Sequence, residues 1–442
     1  MTATARAALR HRRAILTSIV NVFARAVTIL TSLATIPMTV TYLGSERFGL
    51  WMTISSFVGL LAFADLGVGN GLINAISSAS GRDDRSDVRC SISNAAALLA
   101  GLAAVLLMLQ MLAGLLVDWS HLFGLKDAVA VAEVRPALGS FAVCLAIGLP
   151  LSVVQRTQLG LQLGFINGLW QAAGSLLGLA GVFLAIRAQA GLPWLVSALL
   201  GGPLIATAVN AAVFFGRTAP DLLPRARDVT RRRLGLLLRL GVLFLVLQLA
   251  AALAYASDNL IAAHLLGAQA VGDYAIAAKL FSVSSIIVSM LLQPLWPAYG
   301  EAMAQGDIAW ARSTLRRATI LAAAVAASIA VVISASFQWV TLLWVHRPVD
   351  APAILLLGFA LWAVVDAVGQ SLAMFLNGAH VVRVQVVLAS VFSITCISLK
   401  ILLVGHFGVA AFPWAVLLVY IPISFVPVLW MMKKWLPKPA AA

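Results

Sequence analysis

Apolar runs of about 20 residues recur along the whole chain, and a run of that length is what crosses the hydrocarbon core of a bilayer as a helix. Twelve can be placed, at residues 14–40, 48–76, 91–117, 136–154, 166–186, 193–216, 237–263, 273–298, 318–345, 352–378, 384–404 and 409–432. Inside lipid every backbone N–H and C=O must find its partner within the protein, and a continuous apolar run does this as a helix. The expected fold class is therefore an all-α polytopic membrane protein. Hydrophobic residues make up 62% of the 442 and charged residues 10%, far from a soluble composition.

The net charge of +14 would suit a nucleic-acid partner, but its placement excludes one. With the N-terminus inside, 22 of the 30 basic residues fall in inner segments: 6–13, 82–89, Arg156, 217–239, 312–317, Arg383 and 433–438. The outer segments hold Arg47, Lys126, Arg135, Arg187, Arg347 and, near a helix end, Lys400. This is the positive-inside asymmetry, and it puts both termini of an even-numbered bundle in the cytoplasm. The first apolar run, about 27 residues, is too long for a signal-peptide core of about 7–15. Cys90, Cys144 and Cys396 lie in or beside apolar segments without CxxC spacing, which points to packing. No Ser/His/Asp set, HExxH or P-loop occurs, so no catalytic residue, metal or cofactor is expected.

The first segment carries a polar ladder, Asn21, Arg25, Thr28, Ser32, Thr35 and Thr39. At about 100° per residue all six fall within about 80° of one another. A helix crossing lipid does not turn a full-length polar stripe to hydrocarbon, so the stripe should line a water-filled path or a bundle interior. That points to transport.

The chain also repeats itself. Leu43-Gly44-Ser45-Glu46-Arg47-Phe48-Gly49 is echoed 223 positions later by Leu266-Gly267-Ala268-Gln269-Ala270-Val271-Gly272. The same offset places Arg25 on Gln248 and Asn70 on Gln293, and a charged inner loop follows each second helix, at Gly81–Arg89 and Gly306–Arg317. Six helices per half give two copies of like orientation with a cavity between them. The expected division is an N-terminal lobe over 1–216, a basic cytoplasmic linker over 217–239 and a C-terminal lobe over 240–442. The linker reads as a topology-fixing segment on anionic lipid, and the paired glycines as tight outer turns.

The runs Tyr42-Leu43-Gly44, Phe48-Gly49-Leu50-Trp51 and Asp65-Leu66-Gly67-Val68-Gly69-Asn70-Gly71-Leu72 resemble the start of Wzx-type polysaccharide and O-antigen flippases. These form a branch of the multidrug/oligosaccharidyl-lipid/polysaccharide (MOP) exporter superfamily. Asp258-Asn259-Leu260-Ile261, Gly272-Asp273-Tyr274-Ala275 and Pro294-Leu295-Trp296-Pro297 continue the resemblance through the second half. It implies about twelve helices in two pseudo-symmetric six-helix lobes forming a V-shaped cavity, with alternating access. It further implies flipping of undecaprenyl-diphosphate-linked oligosaccharide across the bacterial inner membrane for O-antigen, capsule or exopolysaccharide synthesis. Membrane lipids would surround the protein, and it could work beside a polysaccharide polymerase and export machinery.

Such a cargo carries a glycan and a pyrophosphate, neither of which crosses hydrocarbon unaided. Arg25, about 17 Å into its helix and so near the midplane, could grip phosphate bidentately. Lys279 shares a face with Ser282, Ser289 and Gln293, about 10 Å from the outer surface. Flippases of the peptidoglycan lipid precursor are similar in carrying cavity cations on their first and eighth helices. The expected substrate-binding set is Arg25, Lys279, Asn21, Gln248, Gln293 and Asn70. Asp366, whose face continues through Gln370 and Asn377, could take up a proton or cation, or pair with Arg25. Asp65 reads as a capping or packing residue beside a glycine-rich break, and Asp258 as a helix-end or gate residue. His264 and His346 read as interfacial, Trp51, Trp119, Trp194, Trp344 and Trp435 as headgroup anchors, and Trp362 as core or a sugar platform.

A drug/cation antiporter of the same superfamily is the nearest alternative, but exporters of organic cations favour an acid in the first-lobe cavity, where this chain has Arg25. A major-facilitator transporter shares the helix count but not the Leu-Gly repeat. A glycan polymerase or ligase would present a large outer loop with catalytic cations, whereas the segment 118–135 here holds only Lys126 and Arg135.

Overall fold

The computed structural model describes residues 3–266, 268–346, 349 and 351–435, and among them every regular element is helical. The glycine at 267 and the cations Arg347 and Lys438 lie outside the described residues. The long helices are α1 (Ala3–Ala64), α2 (Val68–Gly81), α3 (Arg85–Leu116), α5 (Ala128–Gly160), α6 (Gly164–Arg187) and α7 (Leu192–Val213) in the first half, with a short α4 (Trp119–Leu122). The second half holds α8 (Arg231–Leu265), α9 (Ala268–Leu292), α10 (Leu295–Ala304), α11 (Ile308–Val345), α12 (Ala353–Gly378), α13 (Val382–Phe407), α14 (Ala411–Tyr420) and α15 (Val426–Trp435).

Ten described stretches are long and apolar enough to cross a membrane. The expected run 48–76 covers the end of α1 and most of α2, with the helix broken between them at Leu66 (φ 49°) and Gly67 (φ 72°). The last two expected spans fall in one stretch, Val382–Met432, interrupted by Gly408 at φ 55°. Within each span only 17–39% of the most apolar window is buried by protein. The rest is apolar surface such as Leu115, 81% exposed, which is stable only against lipid.

The chain divides into two compact units, 1–242 and 243–442. In the first, Leu72 and Ile76 of α2 pack with Ile92 and Leu99 of α3 and Val153 of α5. A second core joins Leu50, Trp51 and Ile54 to Val134, Val182 and Leu195. Trp51, expected as a headgroup anchor, is 3% exposed in that core. Trp194 and Trp344, by contrast, are exposed. In the second unit, Ala322 and Ala326 of α11 lie in a core with Val288 of α9 and Ala367 of α12, small residues that let helix backbones approach.

A close approach of that kind joins α6 and α7. A Cβ built on Gly202 would stand 2.2 Å from the Gly178 nitrogen and 2.8 Å from the Gly174 carbonyl oxygen. Backbone cannot move aside as a side chain can. Gly202→Val is expected to destabilise the first unit by at least about 3 kcal/mol, read as loss of detergent-soluble monodisperse protein. Monodisperse protein at normal yield would show that the two helices can separate.

The repeat is visible in three dimensions at the turns that follow α2 and α10. Helix α2 ends at Gly81 and α10 at Ala304, and α3 begins at Arg85 and α11 at Ile308, each 223 positions apart. Asp84 caps α3 by accepting from the Asp87 N–H at 2.9 Å, and Asp307 caps α11 by accepting from the Trp310 N–H at 3.2 Å. Between helix and cap, Asp83 (φ 57°) and Gly306 (φ 73°) both adopt the left-handed turn.

The segment between the halves is docked on α3. Arg85 donates two hydrogen bonds to Asp221, at 2.8 and 2.9 Å, and Arg89 one to Asp228 at 2.8 Å. The Arg85 hydrogen bonds hold the Asp221 carboxyl below the usual carboxylate range. Asn94 clasps this segment's backbone, donating to the Asp228 carbonyl and accepting from the Thr230 N–H, both at 2.9 Å. Leu222 is fully buried in the α2–α3–α5 core. The basic run from Arg231 is already helical, as the first turns of α8.

Candidate functional site

Three polar places hold most of the side chains singled out from the sequence. The first is the ladder on α1. Arg25 is exposed and makes no ion pair with any described residue, while Asn21 and Thr28 are half-buried and Thr35 and Thr39 are buried. The threonines turn inward: Thr28 donates to the Ala24 carbonyl, Thr35 to Thr31 and Thr39 to Thr35, at 2.7–2.9 Å. Thr28 also bonds Ser175 of α6 at 3.0 Å. With Thr31, Ser32, Thr35 and Ser175, Thr28 lines a cavity of about 360 Å³ within the first unit. Asn21 lies beside Gly168 of α6, where a Cβ would sit 3.1 Å from its amide oxygen.

The second place surrounds Asp65, at the break between α1 and α2. Its carboxylate is buried and accepts from the N–H groups of Gly67 at 2.8 Å and Gly69 at 3.3 Å. A polar cap of that kind satisfies the free donors of a helix start. Arg156 of α5 joins it at 3.5 Å and reaches Asn70 at 3.4 Å. The sequence placed Arg156 in an inner loop, but α5 continues to Gly160 and carries it on the helix, one-third exposed on the wall of a cavity of about 350 Å³. Gly69 makes the room: a Cβ there would meet Asp65 at 2.5 Å and Arg156 at 2.6 Å.

The third is a cavity of about 500 Å³ inside the second unit, walled by α8, α9, α12 and α14. Asp258 and Asp366 both line it, with Lys279, Ser285, Asn259 and Trp362. Asp258, expected at a helix end, is buried and ion-paired with Lys400 of α13 at 2.5 Å, and it accepts from the Tyr274 hydroxyl at 2.5 Å. Lys400 is 0% exposed and also donates to the Ala254 carbonyl. It was read from the sequence as an outer-edge cation, because an ion pair spanning 142 residues leaves no local signal. Asp366 accepts from Ser285 and, at 2.7 Å, from Gln370, both through Oδ2. Lys279 is exposed at this cavity together with Ser282, whereas Ser289 and Gln293, on its expected face, are not on the wall. Gln248 is half-buried on α8 and also lies off the wall, and Asn377 bonds Gln385 instead, at 3.0 Å. Among the described residues no His/Cys/Asp/Glu cluster could hold a metal ion.

The sequence of residues 16–303 matches the family model described as polysaccharide biosynthesis protein. No curated protein sequence matches the chain. In fold, the chain is similar to a MATE transporter in the bent conformation, with 17% identity, a TM-score of 0.82 and coverage of 97% of this chain and 96% of the other. It is also similar to an outward-facing multidrug resistance MATE family transporter of the MOP superfamily, at 16% identity, TM-score 0.79 and 97% coverage of both chains. A MOP superfamily transporter from Pyrococcus furiosus, whose reverse binding-pocket polarity is said to suggest a different function, matches at 17% identity, TM-score 0.78 and 97% coverage of both.

Proposed function

The chain belongs to the polysaccharide biosynthesis protein family, and from that premise we propose that it flips undecaprenyl-diphosphate-linked oligosaccharide from the inner to the outer leaflet of a bacterial cytoplasmic membrane. The fold is that of a MOP superfamily transporter, and the polarity of its cavity walls is what can separate one cargo class from another within it.

The observation that carries the reading is Arg25. Its guanidinium is exposed, without an ion pair to any described residue, on the polar face of a membrane helix, where an uncompensated cation is costly unless an anion visits. A diphosphate is such an anion, and a guanidinium binds it bidentately. Lys279 is the second cation assigned to the cargo, in the other unit. Asn21 and Asn70 in the first unit, and Gln248 and Gln293 in the second, would offer amides along the route. Asp366 with Gln370 is assigned to ion coupling, and Asp258 is held by Lys400 as a fixed pair. Asp65 holds Arg156 at the inner end of the first unit. A polysaccharide polymerase would receive the product, and both termini would stay in the cytoplasm.

The fold matches to multidrug transporters favour a second reading, export of organic cations. Reconstitution into liposomes separates the two. Movement of a fluorescent lipid-linked oligosaccharide between leaflets, without chemical change and without transport of tetraphenylphosphonium, is the expected result. Proton- or sodium-driven tetraphenylphosphonium export with a static lipid would overturn the proposal, and an altered glycan chain length would show catalysis instead.

A further inference from the structure

Within the second unit, the cavity beside Trp362 combines three properties: size, balanced charge and an aromatic wall. Its volume of about 500 Å³ falls in the range of small-molecule sites, about 300–1,000 Å³. Its two carboxylates, Asp258 and Asp366, are matched by two ammonium groups, Lys400 bound to Asp258 and Lys279 at the cavity. With Asp258 neutralised by Lys400 behind the wall, an organic cation placed here would meet the Lys279 ammonium, and a phosphate would meet the Asp366 carboxylate.

A neutral polyol meets neither penalty. Asp258 is already engaged at both oxygens, one taking Lys400 and the other Tyr274. Asp366 is not: both of its hydrogen bonds fall on Oδ2, so Oδ1 remains a charged acceptor for hydroxyl donors. Lys279 and Asn259 add donors on the same wall. Tyr255, 42% exposed, and Trp362 form a tilted aromatic pair with ring centroids 6.0 Å apart, and both line the cavity. An amphipathic ring of that kind packs the apolar C–H face of a pyranose while its hydroxyl edge reaches polar partners. We infer that this cavity is a saccharide subsite, taking one or two neutral sugar residues against Tyr255 and Trp362 with hydroxyls on Asp366.

This inference rests on the flippase reading for its biological meaning, since the sugars would be those of the lipid-linked cargo. Its test does not depend on transport. Full-length protein in nanodiscs of phosphatidylethanolamine and phosphatidylglycerol is applied to an array of neutral and acidic oligosaccharides free of lipid. Retention of neutral glycans is expected, reduced about tenfold or more by Asp366→Asn, the worth of one charge-assisted hydrogen bond. Trp362→Leu should reduce it similarly, whereas Trp362→Phe should keep it within about threefold, which separates loss of the platform from loss of the fold. The inference is overturned if no neutral glycan is retained, if Asp366→Asn and Trp362→Leu retain as much as the parent, or if tetraphenylphosphonium displaces the bound glycan. Glycan retention without lipid flipping would refute the flippase reading and leave the subsite standing. Flipping with no retention that depends on Asp366 and Trp362 would refute the subsite alone.

Discussion

Replacing Arg25 with alanine is expected to cut transfer of lipid-linked oligosaccharide to the outer leaflet to about one hundredth or less, while the protein stays in the membrane at its normal level. The magnitude follows from two charge-assisted hydrogen bonds to phosphate, each worth about 1.5–3 kcal/mol, lost where water cannot replace them. Stability should be untouched, because Arg25 is exposed and holds no ion pair with any described residue. Arg25→Lys keeps the charge but not the fork, so partial transfer is expected. The measurement is the inner-leaflet pool of lipid-linked repeat unit in cells whose only copy is the variant, normalised to membrane protein by blot. Undiminished export by a well-expressed alanine variant would remove Arg25 from the mechanism.

The second large effect concerns Lys400. Lys400→Met leaves Asp258 charged and buried with only the Tyr274 hydroxyl, and breaking a buried pair on one side costs about 3–5 kcal/mol. Asp258→Asn leaves the ammonium in the same position. Either single variant should lower the unfolding temperature in detergent by about 10 °C. The double variant, Lys400→Met with Asp258→Asn, carries no buried charge and should recover most of the loss. If both single variants are as stable as the double, the ammonium and carboxylate are not coupled, and Asp258 would be available to ligands after all.

The sequence revealed what periodicity and composition can encode. The apolar runs gave the helices, and the 223-residue offset reappears as matched turns, caps and helix ends at 81–85 and 304–308. The ladder on α1 was legible because a helix repeats its faces at a fixed angle. Pairings across helices were not. Lys400 and Arg156 sit near the ends of apolar runs, where a cation ordinarily marks an interface. Only tertiary structure shows that Asp258 and Asp65 hold them. Trp51 failed for a related reason: a tryptophan at a span end suits headgroup depth, yet helix packing places it in a core. The clue overlooked at Arg156 was Gly69, whose missing side chain gives the guanidinium its place.

The inward-turned threonines of α1 bear on which molecules the first-unit cavity can hold. Thr28 and Thr35, on its wall, have already directed their protons to backbone carbonyls one turn earlier. What such hydroxyls present to a visitor is lone pairs. Ser32 apart, the wall is thus hydrophilic yet one-sided, receptive to a solute that brings its own O–H groups and nearly indifferent to one that brings only oxygen anions. A sugar could slide along such a surface, exchanging one weak acceptor for the next. A phosphate would find little foothold on it beyond Ser32 until it reached the guanidinium of Arg25, so the same helix would act as a smooth rail for one end of the cargo and a single post for the other.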